Sequence, residues 1–142
     1  MAPETMGKVF TEVTVINRTD QVLFEDGTLT ADQVRSIQLE HVLVVPRVTT
    51  LCLPPDLIQQ LGLRSLREVD ISTANGFQTT RIFRDATLSL HGREGTFECI
   101  ESPGHPLLGG VPLRMLGLEP DWQNQVLRVL PERSPDTYLT IL

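Results

Sequence analysis

The side chains that could carry nucleophilic or metal chemistry are few in this chain and scattered along it. The histidines His41, His91 and His105 do not have the spacing of a metal site. Cys52 and Cys99 both lie in apolar runs, whereas a nucleophilic thiol needs an exposed, electropositive setting. We therefore predict no metal, no cofactor and two free, buried thiols.

Acid–base chemistry would need carboxylates held as a pair, and the sequence does not show one. Asp70 lies between Val69 and Ile71 in a strand-like run, so its side chain should be on the opposite face from theirs. We interpret Asp70 as a solvated carboxylate, and Glu40 and Glu98 in the same way. Neither a Gly-x-Ser-x-Gly elbow nor a phosphate-binding glycine loop appears.

Composition predicts one ordinary globular domain over residues 1–142, with its core over about 9–130. The chain is 40% hydrophobic and 21% charged, with a net charge of −6. Because the chain has no basic cluster, we predict that it does not bind nucleic acid. No apolar run approaches the roughly 20 residues that a membrane helix needs, and residues 1–8 lack the features of a secretory signal. We predict a cytoplasmic protein that does not bind membranes.

Short strands and helices follow from the local patterns of the first half. Val9–Ile16 alternates as a half-buried strand, and Asn17–Asp20 is predicted to turn. The capping-box spacing at Thr30 predicts a helix over Ala31–Ser36, followed by a strand over Ile37–Val45. Pro54–Gly62 has proline at its start, apolar residues at helical spacing and a glycine stop, which predicts a short helix.

The second half of the chain predicts two hairpins. Arg67–Thr73 and Gln78–Phe83 should be joined by a tight turn in which Asn75–Gly76 supplies positive φ angles. Ala86–His91 and Thr96–Ile100 should form the other hairpin. The predicted fold class is therefore all-β, with two or three short helices.

The predicted helix that ends at Gly62 resembles a second segment later in the chain. Its Leu-Gly-Leu ending recurs 55 residues further on at Leu116–Leu118, again after an apolar run and a proline near the start of a helix. Two strand-then-helix units are predicted, although helices with this ending are common enough for a chance match.

The segment Val44–Pro54, Val-Val-Pro-Arg-Val-Thr-Thr-Leu-Cys-Leu-Pro, resembles the active-site loop of the retropepsin-like family of small bacterial aspartic proteases. In that family an apolar strand runs into Asp-Thr-Gly-Ala and continues Thr-x-Leu-x-Leu-Pro. Aligning the downstream part puts Val45 at the aspartate, Pro46 at the threonine and Arg47 at the glycine. The degenerate loop comprises Val45, Pro46, Arg47, Val48 and Thr49.

Other parts of the chain follow the same family order. The resemblance implies that the hairpin tip Asn75, Gly76 and Phe77 is a flap, and that Leu107, Leu108 and Gly109 form the family's hydrophobic-hydrophobic-glycine motif. It also implies an acid-protease closed barrel with one lobe per chain, and a homodimer. A strand over residues 137–142 would suit pairing between subunits, or pairing within its own sheet.

The resemblance also implies that proteolysis is lost. Aspartic proteases use two carboxylates that share a proton, and Val45 supplies none. Pro46 has neither the hydroxyl nor the N–H of the family threonine. The bulky Arg47 should not fit the glycine geometry without rearrangement. We predict a pseudoenzyme with no catalytic residues.

Arg47 keeps several functions open. It could anchor an acidic peptide or protein partner in a reused groove, which would make the domain a peptide- or protein-binding, regulatory module. Alternatively, the loop swings outward and leaves Arg47 solvated or paired with a carboxylate. An active but atypical endopeptidase, and a structural assembly factor that uses only its dimer surface, are the other hypotheses.

Overall fold

Seven strands of the chain form one sheet that closes on itself. The structure is a computed structural model that describes residues 7–131. In chain order its strands are β1 (Phe10–Asn17), β2 (Ser36–Val44), β3 (Leu51–Leu53), β4 (Arg64–Thr73), β5 (Gly76–Leu90), β6 (Arg93–Glu101), β7 (Leu107–Leu108), β8 (Leu118–Asp121) and β9 (Val126–Val129). The helices are α1 (Arg18–Glu25), α2 (Pro55–Leu61) and α3 (Gly110–Leu116), with a 3₁₀ turn at Ala31–Gln33.

The sheet order β1-β2-β7-β3-β6-β5-β4 becomes a barrel because β1 also pairs with β5. Alternating residues of β1, such as Val13 and Val15, point into the barrel and are fully buried there. Strand β4 stays outside the closed ring and extends from β5 as a hairpin. The predicted all-β class and closed barrel are thus confirmed, and the predicted strand over residues 137–142 lies outside the described residues.

The two strand-then-helix units of the sequence are present. Helix α2 follows β3 and ends at Gly62, and α3 follows β7 and ends at Gly117. Both glycines have left-handed backbones, with φ of 64° and 67°, which a residue without a Cβ adopts at little cost. The predicted Pro54–Gly62 helix is confirmed with an α-helical core of Pro55–Leu61.

The prediction for Asn17–Asp20 was wrong, because a helix and not a turn follows β1. The side chain of Asn17 accepts a hydrogen bond from the backbone N–H of Asp20 at 3.0 Å and caps α1. Periodicity gave no signal for this helix, since its one buried residue is the charged Asp20 while Val22 and Phe24 are exposed.

Three other local predictions need correction. The helix over Ala31–Ser36 is only a 3₁₀ turn, since the chain is extended again at Val34. The separate strands Gln78–Phe83 and Ala86–His91 are one strand, β5, with a bulge where Asp85 takes a φ of 62°. At the hairpin tip only Gly76 has a positive φ, 98°, so Asn75 does not supply one.

Two apolar clusters lie on opposite sides of the barrel wall. The larger fills the barrel interior. The smaller is centred on Cys52, Ile82 and Ile100 on the outer face of β3, β5 and β6, and four half-buried residues pack against it: Val48, Val69, Ile71 and Leu107. We call these seven residues the outer cluster. Because Val69 and Ile71 belong to β4, the β4–β5 hairpin is folded over this cluster.

Candidate functional site

The degenerate loop forms a β-turn directly after β2. The N–H of Val48 donates to the carbonyl of Val45 at 3.0 Å, which closes the turn over Pro46 and Arg47. Pro46 occupies the second turn position, where its fixed φ fits and where its N–H is not needed. Arg47 does not have a positive φ, so the turn accepts a bulky residue at the third position.

The Leu107-Leu108-Gly109 motif holds this turn from beneath. The carbonyl of Leu108 accepts a hydrogen bond from the N–H of Val45 at 2.9 Å, and the N–H of Gly110 donates to the carbonyl of Val48 at 2.7 Å. A Cβ on Gly109 would lie 2.4 Å from the carbonyl oxygen of Val48, so the backbone crossing requires glycine there. Within the motif, Leu108 is fully buried in the barrel and Leu107 joins the outer cluster.

A groove runs between this turn and the β4–β5 hairpin. One cavity of about 500 Å³ lies on the turn side and another of about 420 Å³ lies further along β6. Both cavities are lined by Thr49, Asp70, Ile71 and Ile100, so they adjoin beneath β4. We call the two together the groove. Its floor is apolar because the outer cluster forms it.

The residues predicted for the degenerate loop contribute unequally to the groove. Arg47, Val48 and Thr49 line its turn side, whereas Val45 and Pro46 line neither cavity. Arg47 is exposed, and it forms no ion pair or side-chain hydrogen bond with any residue in 7–131. Arg47 thus lines the groove and pairs with no carboxylate of this part of the chain.

The acidic residues that line the groove are Asp70 and Glu98. The Asp70 carboxylate accepts a hydrogen bond from the Thr79 hydroxyl at 2.8 Å on the face of the hairpin opposite Val69 and Ile71, as the sequence predicted. Glu98 is exposed and lies on the far cavity. The two acids thus stand on different elements without a shared hydrogen bond.

The tip of the hairpin is exposed. The hydroxyl of Thr73 donates to the carbonyl of Gly76 at 2.7 Å and accepts from the N–H of Asn75 at 3.1 Å, which fixes the turn. The Phe77 side chain next to it is 80% exposed. Such a large apolar side chain at the end of a hairpin is available for contacts with another molecule.

Both thiols are free and buried, as predicted, and they are on opposite faces of the sheet. In the parallel pairing of β3 with β6, Leu51 is opposite Cys99 and Cys52 is opposite Ile100. Cys52 therefore faces the outer cluster while Cys99 faces the barrel interior. Burial raises the pKa of Cys52 to about 11 and raises the pKa of Cys99 as well, so neither thiol is a ready nucleophile.

The histidines lie apart from the groove. The rings of Phe10 and His41 are stacked at 3.8 Å, and a ring nitrogen of His105 is 2.6 Å from the carbonyl oxygen of His41. His91 contacts the Thr11 hydroxyl through Nε2 at 3.1 Å. Within residues 7–131 no group of three histidine, cysteine or acidic side chains could hold a metal ion.

Sequence reasoning missed Glu98 as a groove residue. The signal was present in β6, where Thr96, Glu98 and Ile100 alternate with the core-facing Phe97 and Cys99. What the sequence did not show is that this face of β6 is covered by β4.

The closed barrel, the paired strand-then-helix units and the glycine crossing define a retropepsin-like acid-protease fold with one lobe in the chain. A solved structure with this fold is the EIAV protease complexed with the inhibitor HBY-793. The two chains share 17% sequence identity with a TM-score of 0.50, over 82% of this chain and 95% of the protease chain. At this identity the likeness establishes the fold and nothing finer.

Seventy chains among the solved structures match this chain. No protein-family model matches the sequence, and no curated protein does. No helix in the described part of the chain is long and apolar enough to cross a membrane.

Proposed function

We propose that this domain is a pseudoprotease that binds an extended peptide or protein segment in its groove and does not cleave it. The observation that carries the proposal is the β-turn over Val45–Val48, which contains no carboxylate yet sits beside an open, apolar groove. Peptide hydrolysis by this fold needs a proton-sharing pair of carboxylates, and general acid–base help alone contributes about a hundred- to ten-thousand-fold in rate.

The groove has the features of a peptide-binding site. The apolar outer cluster can accept side chains, and one edge of β4, which pairs with no strand among residues 7–131, can pair with an added strand. The flap role of Asn75, Gly76 and Phe77 is part of the proposal, because the exposed Phe77 ring could cover a bound peptide. Arg47 would attract an acidic group at the turn side.

We further propose that the protein acts as a homodimer, as the resemblance implies, with the two turns approaching the symmetry axis. Two Arg47 side chains brought close together would repel each other, and a bound acidic segment would relieve that repulsion. A cytoplasmic location belongs to the same proposal.

A reversion experiment tests the loss of catalysis. The quadruple variant Val45→Asp, Pro46→Thr, Arg47→Gly, Val48→Ala and the native chain are each incubated with a mixed peptide library, and cleavage is read by mass spectrometry. We expect no specific cleavage by the native chain. Specific cleavage by the native chain that disappears in Arg47→Ala would establish the atypical endopeptidase instead.

Affinity capture tests binding. An immobilised peptide array is probed with the native protein, with Arg47→Glu and with the matched control Arg81→Glu. Arg81 is next to the groove-facing Ile82 in β5, so its side chain lies on the other face of that strand. We expect capture of peptides by the native protein and by the control, with weaker capture of acidic peptides by Arg47→Glu. If substitutions in the groove leave the captured molecules unchanged, the hypothesis of an assembly factor that uses only its dimer surface is favoured.

A further inference from the structure

We propose that the groove selects peptides by a pair of opposite charges: an acidic and a basic residue four positions apart, with an apolar residue midway between them. The acidic side chain would pair with Arg47 and the basic one with Glu98. This inference rests on the proposed peptide binding and specifies what the bound segment looks like.

The two cavities of the groove carry opposite charges that have no ion-pair partner among residues 7–131. Arg47 lines only the turn-side cavity and Glu98 lines only the other. Both residues are exposed, and neither side chain forms an ion pair or hydrogen bond with the rest of residues 7–131. Asp70 also lines both cavities, but its carboxylate accepts a hydrogen bond from the Thr79 hydroxyl on the other face of the hairpin. A ligand whose charges complement Arg47 and Glu98 therefore fits the groove best.

The side chain of Glu98 is on the groove face of its strand. Because side chains alternate along β6, Glu98 shares a face with Ile100, which belongs to the outer cluster, while Cys99 faces the barrel. The backbone carbonyl of Glu98 accepts a hydrogen bond from the hydroxyl of Thr50 at 2.7 Å, which fixes this part of β6 against the end of the loop.

The backbone limits how far apart the two charges can be. Arg47 precedes Thr50 by three residues, which span at most about 10 Å. Thr50 in turn adjoins Glu98 at roughly the 5 Å separation of neighbouring strands. The α-carbons of Arg47 and Glu98 are thus at most about 15 Å apart, and the roughly 13 Å between residues four apart in an extended peptide falls within that limit.

The middle of the bound segment should be apolar. Four residues line both cavities and so lie between Arg47 and Glu98, and two of them, Ile71 and Ile100, belong to the apolar outer cluster. In an extended peptide the residues at positions one, three and five point to the same side. An acidic, an apolar and a basic residue at those positions would place all three side chains on the groove.

Labelled peptides with capped ends test the selection on the full chain by fluorescence anisotropy. The mixed peptide is Gly-Asp-Thr-Leu-Thr-Lys-Gly, and its matched forms carry Asp at both charged positions, Lys at both, or Asn and Gln. Because exposed ion pairs are weak, we expect the mixed peptide to bind about three- to tenfold more tightly than the neutral one.

Charge-reversal variants test which groove residue pairs with which charged residue of the peptide. Arg47→Glu should shift the preference to the Lys–Lys peptide and Glu98→Lys to the Asp–Asp peptide, and the double variant should prefer the mixed peptide again. Arg81→Glu and Glu40→Lys, exposed positions that line neither cavity, should keep the native preference. Circular dichroism verifies that each variant is folded.

The outcomes distinguish a failure of the charge selection from a failure of peptide binding itself. Equal binding of mixed and neutral peptides, or preferences that do not follow the reversals, would overturn the charge selection and leave peptide binding standing. Occupation of the groove by residues 132–142 or by a second copy would weaken the binding of every peptide alike and belongs to the outcome in which no peptide binds. Binding of no peptide at all would overturn the proposed function together with this inference.

Discussion

The carboxylate of Asp20 accepts three hydrogen bonds from Arg35. Oδ2 accepts from the Arg35 backbone N–H at 3.0 Å and from Nε at 2.8 Å, and Oδ1 accepts from Nη2 at 3.0 Å. The Asp20 side chain is only 5% exposed, so these bonds compensate for its burial. The guanidinium occupies the space that a Cβ would fill at Gly62, and in this way the pair joins α1, the start of β2 and the end of α2.

Loss of this ion pair should cost stability in a pH-dependent way. The Arg35 side-chain hydrogen bonds lower the pKa of Asp20 below its ordinary value of 3.8, while burial opposes them. A lowered folded-state pKa stabilises the protein above pH 3.8, and this contribution is lost as the pH falls through the folded-state pKa. We expect Asp20→Asn to lower the free energy of unfolding by about 2 kcal/mol at pH 7.

Urea denaturation at several pH values measures that effect. The gap between the native protein and Asp20→Asn should narrow below pH 3.8. The exposed Glu40→Gln should remain within about 0.5 kcal/mol of the native protein at pH 7. A gap that stays constant from pH 7 to pH 2.5 would contradict the ionic role of Asp20.

Both polar atoms of the Asn17 side-chain amide should contribute to the stability of the fold. Its Oδ1 caps α1, and its Nδ2 donates to the carbonyl of Leu61 at 2.9 Å at the end of α2. We expect Asn17→Ala to lower the free energy of unfolding by about 2–4 kcal/mol, because a cap and a buried hydrogen bond are both lost. Asn17→Asp keeps the cap acceptor but turns an oxygen toward that carbonyl, so it should cost about as much in the same urea titration. A near-native Asn17→Asp would show that only the cap matters.

The glycine crossing beneath the turn should not tolerate a methyl group. A Cβ on Gly109 would lie 2.4 Å and 2.5 Å from the carbonyl oxygens of Val48 and Thr50, which are backbone atoms of a loop held by hydrogen bonds. We expect Gly109→Ala to cost about 3 kcal/mol or more in thermal denaturation. Gly95→Ala is the control, since its closest contact, at 2.9 Å, is the Phe97 ring, a side chain that can shift. Equal destabilisation by the two variants would contradict the argument.

The two thiols should be inert in the native protein. With its pKa raised to about 11, Cys52 at pH 8 is thiolate in only about one molecule in a thousand, and Cys99 is more deeply buried. We expect iodoacetamide to modify neither cysteine under native conditions and both in urea, as read by mass spectrometry. A mild oxidant should form no disulfide within the chain, because the side chains face opposite sides of the sheet. Rapid native alkylation of Cys52 would show that the groove floor opens.

Local patterns predicted the elements whose partners are close in sequence. Pro55–Leu61 was recognisable because its proline start and glycine stop act within the helix itself. Helix α1 was not, because its one buried residue, Asp20, is held by Arg35 from fifteen residues away. The bulge at Asp85 was likewise hidden, since it marks where β5 changes partner from β4 to β1.

By itself the sequence determined the strand-rich class, the two strand-then-helix units and the replacement of the acidic loop motif by Val45–Val48, because residue types and short-range spacing specify these. The tertiary structure decided that Arg47 and Glu98 line two adjoining cavities of one groove. That relationship depends on β3 lying parallel to β6 and on β4 folding over both, and such pairings between distant strands leave no periodic signal in the chain.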